Sequence, residues 1–136
     1  MSMKNFDRLL GTWNVTGGAE GTVTYRWLPG EQFLVQDIDL TQYGQAVTGI
    51  EVIGRLKPFG AEEPSEHVHS RYYDSEGNTF DYLYEIEGDT LVIWAGEVGS
   101  PAHYRGTFNA GGDTVSGAWT YPGGGGYAST MTRTAS

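Results

Sequence analysis

The sequence of 136 residues contains no cysteine, only eight basic residues and no long apolar run. Without cysteine the chain forms no disulfide and offers no thiolate as a nucleophile or metal ligand. Seventeen acidic residues give a formal net charge of -9, which repels the phosphates of nucleic acids and anionic membranes. No segment resembles a secretion signal or a transmembrane span. We therefore expect a cytoplasmic protein that binds neither nucleic acid nor membrane.

Glycine and aromatic residues are abundant, with 21 glycines, nine tyrosines, five phenylalanines and four tryptophans. Glycine favours tight turns, and aromatic side chains favour half-buried pleated surfaces. This composition is typical of an all-β protein. The length is that of one domain, so we expect residues 1–136 to form a single β-barrel domain.

The hydrophobic pattern changes period at Gly11. Before it, Phe6, Leu9 and Leu10 share one face of a short helix over residues 3–10. After it, apolar residues alternate with polar ones in ten short segments joined by turns, with no helix between them. Such a chain predicts a closed antiparallel up-and-down barrel, with the helix capping one end. The predicted strands are residues 12–16, 22–28, 32–40, 47–57, 67–73, 79–86, 90–97, 102–108, 114–121 and 127–133.

The first predicted strand begins with Gly11-Thr12-Trp13. This segment resembles the G-x-W that opens the first strand of lipocalins and related barrels of the calycin superfamily. The resemblance implies that Trp13 fills the closed end of the barrel and that an arginine of the last strand packs across its ring. Arg133 stands at the matching position, and a cation over an indole contributes about 0.5–2 kcal/mol.

Further motifs resemble a group of bacterial lipocalin-like domains whose function is not assigned. Those domains open with L-x-G-x-W, continue with a Y-x-W strand and then turn from a glycine to a phenylalanine. The resemblance covers most of the chain as architecture, but its motifs lie within the first 35 positions. The matching segments are residues 9–13, 25–27 and 30–33.

If Trp13 and Arg133 point inward, strand alternation predicts an aromatic interior that binds a small, mostly apolar or aromatic molecule. An enzyme on the same barrel, an isomerase or cyclase acting on a hydrophobic substrate with Tyr or His as acid or base, is the alternative. A filled barrel that assembles with itself, as a homodimer, or with another protein is a weaker one. The predicted ligand-binding residues are Tyr25, Trp27, Tyr72, Tyr82, Tyr84, Trp94, Tyr104 and Trp119.

Histidines offer only weak signs of a metal or haem site. His67 and His69 share one strand face, and His103 could add a third ligand. Alternation places His67 and His69 opposite Tyr72, outside the barrel, so we expect no metal and no cofactor. Haem-binding nitrobindin barrels resemble this chain at G-x-W, but they continue into a Tyr-Pro segment and bring a ligating histidine from late in the chain. Both features are missing here, so haem binding is a weaker alternative.

Acidic residues on the predicted strands suggest no catalytic pair. Most of them fit a solvated outer face, and no nucleophile motif accompanies them. We therefore predict no catalytic residues. The acids considered are Asp37, Asp39, Glu51, Asp81 and Glu85.

Overall fold

The computed structural model describes residues 3–135. Ten antiparallel strands form a closed barrel in which each strand pairs with its chain neighbours and β1 pairs with β10. A 3-10 helix, Met3–Leu9, precedes them, and no helix within residues 3–135 is long and apolar enough to cross a membrane. The strands are β1 (Gly11–Gly17), β2 (Ala19–Trp27), β3 (Phe33–Gln42), β4 (Gln45–Arg55), β5 (Val68–Asp74), β6 (Thr79–Glu87), β7 (Thr90–Ala95), β8 (His103–Phe108), β9 (Thr114–Thr120) and β10 (Tyr127–Ala135).

The predicted fold class is confirmed, since all ten expected strands are present and the barrel closes. The largest difference in the first half of the chain is the start of β2, which begins at Ala19 rather than at residue 22. Gly17 turns the chain with a positive φ of 108°, and the amide of Gly18 donates a hydrogen bond to the carbonyl of Ala128 at 2.9 Å. Glycine adopts such a φ without steric cost, so the turn is tighter than the predicted one.

The helix closes one end of the barrel, and we call this end the floor. Trp13 is fully buried there, and its Nε1 donates a hydrogen bond to the carbonyl of Leu9 at 2.8 Å. Phe6 and Leu9 on the helix are also buried in the same core. The indole therefore fills the narrow end of the barrel with its one polar atom satisfied.

Arg133 fastens the last strand to the floor. Its guanidinium carbon lies 4.2 Å from the centroid of the Trp13 ring. Nη2 donates hydrogen bonds to the carbonyls of Arg8 at 2.8 Å and Gly112 at 3.1 Å, and Nη1 donates to the carbonyl of Leu10. The predicted packing of Arg133 across Trp13 is present. The planar guanidinium joins the helix, the residue between the helix and β1, and the loop before β9 through a set of donors that a lysine does not provide.

Candidate functional site

A cavity of about 290 Å³ occupies the barrel above the floor. Its volume lies near the lower end of the range for small-molecule sites, about 300–1,000 Å³, and equals that of about ten water molecules. Apolar strand residues share the wall with polar groups and many aromatic rings. The aromatic residues that line the cavity are Tyr25, Tyr72, Tyr82, Tyr84, Tyr104, Trp119, Tyr121 and Tyr127.

Most of the residues predicted to bind a ligand lie on the wall of this cavity. Their contact with a ligand stays a prediction, but the structure brings their side chains together around one space. Tyr121 and Tyr127 join them at the open end of the barrel, which we call the mouth. The predicted residues on the wall are Tyr25, Tyr72, Tyr82, Tyr84, Tyr104 and Trp119.

Trp27 does not line the cavity. It packs against the core at the floor, where its Nε1 donates a hydrogen bond to Asp7 Oδ1 at 2.8 Å. Because Trp27 is the last residue of β2, it points inward at the level of the helix rather than at the level of the cavity. Its interactions hold the helix in place.

Trp94 lies on the outer face of the barrel, so its predicted inward orientation is wrong. On β7 the buried side chains of Leu91 and Ile93 line the cavity, and alternation turns Trp94 outward. There its Nε1 donates a hydrogen bond to a carboxylate oxygen of Glu85, and its ring centroid lies 5.1 Å from that of His103. This strand is apolar on both faces, and its sequence therefore does not show which face is inside.

Glu51 departs from the solvated outer face that we expected for most of the acidic residues on the strands. It lies inside the barrel and is only 5% exposed. On β4 it pairs with Gln36 of β3 and with Tyr72 of β5. Its Oε2 accepts hydrogen bonds from Ser70 Oγ at 2.5 Å and from the Tyr84 hydroxyl at 2.8 Å. The cavity thus contains a buried carboxyl held by two hydroxyl donors.

The sequence of β4 conceals this orientation because both of its faces carry apolar residues. Val47 lines the cavity and Ile53 belongs to the interior core, whereas Ile50 is 39% exposed on the outside. A signal was available in the turn between β3 and β4. Gln42 pairs with Gln45 across a two-residue turn, and counting outward from that pair brings residue 51 opposite residue 36, which in turn pairs with Tyr25.

Burial governs the ionisation of the groups in the cavity. It raises the pKa of Glu51, while the hydrogen bonds from Ser70 and Tyr84 act in the opposite direction. Burial also raises the pKa of Tyr25 and raises that of Tyr104 to about 12. Among the described residues, those that line the cavity include no lysine, arginine or histidine. The carboxyl of Glu51 therefore has no cation beside it, and its neutral form is favoured relative to that of an exposed glutamate.

Aromatic rings connect the cavity with the mouth. The ring of Trp119 lies 5.5 Å from that of Tyr104 and 5.9 Å from that of Tyr82, and it stacks on Tyr121 at 6.0 Å. Tyr82 also contacts Phe80 at 4.7 Å. Phe80 is 45% exposed, so this series of contacts runs from the interior to solvent.

Two glycines make room for the Tyr104 ring. A Cβ added to Gly106 or Gly117 would collide with the Tyr104 hydroxyl. At Gly117 it would also collide with the carbonyl of Arg105. The absence of a side chain at these two positions of β8 and β9 therefore lets the phenol of Tyr104 lie against the backbone of the wall.

The histidines lie outside the cavity, and His103 lies apart from His67 and His69. His67 and His69 flank the buried Val68, and Ser70, which binds Glu51, faces the interior. His103 lies three strands farther around the barrel, roughly 14 Å away at the usual strand spacing. Within residues 3–135 no group of three or more His, Cys, Asp or Glu side chains is arranged to hold a metal ion. No imidazole lines the cavity among these residues.

Neither a protein-family model nor a curated protein significantly matches this sequence. The function is therefore inferred from the geometry of the cavity.

Proposed function

We propose that the protein binds one small, mostly apolar or aromatic molecule inside the barrel and that it is a lipocalin-like member of the calycin superfamily. The observation that supports this proposal is a cavity of about 290 Å³ with eight aromatic side chains on its wall. The floor below it is sealed by Trp13 and Arg133, as the resemblance to that superfamily implies. A ligand would enter from the mouth.

Burial of the ligand supplies the binding energy. Each 40 Å² of apolar surface removed from water contributes about 1 kcal/mol before the costs of association. The tyrosine hydroxyls and the Glu51 carboxyl would orient the molecule, because buried polar groups seek partners. An apolar body with one or two polar atoms fits this wall.

Native mass spectrometry of the purified protein, followed by calorimetric titration with any compound that it carries, tests the proposal. A matched pair of substitutions tests the location. Ala19→Phe places a ring in the cavity, whereas Ala128→Phe places it on the exposed face of β10 near the same end of the barrel. We expect the first to weaken binding at least tenfold and the second to leave it unchanged. Equal effects of both would contradict a site inside the barrel.

Glu51 favours a second function, an isomerase or cyclase acting on a hydrophobic small molecule. A buried carboxyl with a raised pKa is suited to general acid or base chemistry. The wall of the same cavity carries Tyr25 and Tyr104 as further hydroxyl groups. Incubating the protein with the bound compound separates the two functions. Recovery of the compound unchanged supports a binding protein, and conversion that Glu51→Gln abolishes supports the enzyme.

A further inference from the structure

Glu51 presents one oxygen to the protein and the other to the cavity. Ser70 and Tyr84 both donate to Oε2, and no described residue donates a hydrogen bond to Oε1. Within residues 3–135 no buried side-chain oxygen or nitrogen is left without a partner. Because Oε1 has no such partner, it is not one of the fully buried atoms. Glu51 lines the cavity, so Oε1 is exposed to the cavity space. It is available to accept a hydrogen bond from a ligand.

The wall of the cavity provides two donors for this carboxyl but no counter-ion. None of the described residues on the wall is a lysine, arginine or histidine. A buried carboxylate is costly unless a cation accompanies it, whereas hydrogen bonds to an ionised oxygen are about twice as strong as neutral ones. The two hydroxyl donors thus stabilise a negative charge on Glu51, and only a ligand would supply the cation that balances it. A net charge of -9 also attracts cations to the protein.

The aromatic wall suits the same kind of ligand. A cation within about 6 Å of the face of a tyrosine or tryptophan ring is attracted by the ring quadrupole, most strongly where water is excluded. Tyr25, Tyr84 and Tyr104 are buried on this wall together with Glu51. The rings also offer apolar surface to the remainder of the molecule.

From this arrangement we infer that the ligand is a small arylalkyl amine, with an aromatic ring on a short chain, whose ammonium group pairs with Oε1 of Glu51. The inference rests on the proposed binding function and names its ligand class. A primary ammonium supplies both the missing charge and an N–H donor. The cavity volume of about 290 Å³ accommodates a molecule of about ten non-hydrogen atoms, if each takes the volume of one water.

Binding of an ammonium group is coupled to release of a proton from Glu51. The titratable groups that face it are Tyr25 of β2, Tyr72 of β5, and Tyr82 and Tyr84 of β6. The pKa of each tyrosine is raised by burial, so all four stay neutral while Glu51 titrates. Below the pKa of Glu51 the ligand must displace a proton. We therefore expect affinity for the amine to rise about tenfold for each pH unit up to that pKa and then to level off.

Two probes of the same skeleton test this inference, 2-phenylethylamine as the ammonium ion and 2-phenylethanol as its neutral counterpart. Calorimetric titration would be carried out on the wild type, on Glu51→Gln and on Glu20→Gln, which removes the same charge from the exposed face of β2. At neutral pH we expect the wild type and Glu20→Gln to bind the amine at least tenfold more tightly than the alcohol. Glu51→Gln should lose this preference and still bind the alcohol.

The outcomes separate the two proposals. If the alcohol binds the wild type and the amine binds no more tightly, the cavity is a binding site but the amine inference is overturned. If neither probe binds at millimolar concentration, both proposals fail. A pH series on the wild type requires no variant, so it decides the matter even if Glu51→Gln does not fold. An amine affinity that is constant or falls with rising pH between about pH 4 and pH 8 would also overturn the inference, because the pKa of Glu51 is raised above its ordinary value of 4.5.

Discussion

The two ends of the barrel are built from the same strands but satisfy their side chains differently. At the floor, Trp13 is fully buried, and its indole nitrogen and the Arg133 guanidinium bind backbone carbonyls. Around the cavity, hydroxyls line open space, and Glu51 is buried without a cation. The polar groups at the floor thus have their partners within the protein, whereas the Glu51 carboxyl at the cavity has no cation within the protein.

This difference assigns separate tasks to the two ends. Close packing and internal hydrogen bonds at the floor contribute to stability, because nothing from outside is needed to complete them. Burial of the Glu51 carboxyl among hydroxyl groups lowers the stability of the fold but provides polar groups that a ligand can bind, as is common at functional sites. Substitutions at the floor should therefore change unfolding, whereas substitutions at the cavity should change binding and its dependence on pH.

The largest expected effect comes from Trp13→Ala. Removing the indole from the floor leaves a void in a fully buried position, and such a change costs about 3–5 kcal/mol of unfolding free energy. Urea denaturation followed by far-ultraviolet circular dichroism measures the loss. Trp94→Ala on the outer face is the control, and it should cost clearly less. A loss under about 1 kcal/mol for Trp13→Ala would contradict its role in closing the barrel.

Arg133→Lys tests whether the floor depends on the shape of the cation or only on its charge. A lysine keeps the charge but cannot bond to three carbonyls and lie flat on the Trp13 ring. We expect a loss of about 2 kcal/mol in urea denaturation, as for hydrogen bonds to charged groups. Arg105→Lys on the exposed face of β8 should change stability by less than about 0.5 kcal/mol. Equal effects would mean that charge alone matters.

Glu51→Gln should alter how stability depends on pH. Burial raises the folded-state pKa of Glu51 above the ordinary value of 4.5, so between those two pKa values the folded protein keeps a proton that the unfolded chain releases. The wild type therefore loses up to about 1.4 kcal/mol for each pH unit from that value to the folded-state pKa and none above it. Glu51→Gln lacks this loss, so its unfolding free energy should rise relative to that of the wild type over this pH interval.

Urea denaturation at several pH values gives the difference in unfolding free energy between the two proteins. The contributions of other titrating groups cancel in this difference. Glu20→Gln, from an exposed position, should run parallel to the wild type. Parallel profiles for Glu51→Gln and the wild type would show that the buried carboxyl is not protonated by folding.

The smallest effect is expected at the mouth, in the turn between β3 and β4. Tyr43 and Gly44 both have positive φ, of 52° and 74°, and Tyr43 is 77% exposed. Asn-Gly is preferred in two-residue turns of this kind. Tyr43→Asn should raise the unfolding free energy by about 0.5–1 kcal/mol because asparagine tolerates the left-handed conformation better. Tyr73→Asn, at an exposed position in β5, should bring no gain. A loss of stability in Tyr43→Asn would mean that the Tyr43 ring supports the fold.

Much of the fold follows from the sequence because local patterns suffice for it. Alternation and turn residues predict the ten strands and their order, and short connections allow only a meander. The packing of Arg133 across Trp13 at the floor is what the resemblance of Gly11-Thr12-Trp13 to lipocalins and related barrels implies. The helix before Gly11 is likewise predicted, with its end at Leu9 rather than at residue 10.

The chemistry of the cavity could not be predicted in the same way. In β4 and β7 apolar residues occupy both faces, so alternation alone does not distinguish inside from outside. The pairing register with the neighbouring strands decides which face of each strand points into the barrel. This register places Glu51 inside the barrel and Trp94 outside it. The pairing of Glu51 with Ser70 and Tyr84 joins three strands, and a tertiary contact of this kind leaves no local trace in the sequence.

The placement of the four tryptophans gives the molecule an internal optical reporter. Trp13 and Trp27 lie at the floor and Trp94 lies on the outer face, whereas Trp119 alone lines the cavity. A compound that enters should therefore change the fluorescence of one indole and leave that of the other three nearly constant. Replacing Trp119 with phenylalanine would supply the background signal, so occupancy of the cavity could be followed in real time without a label.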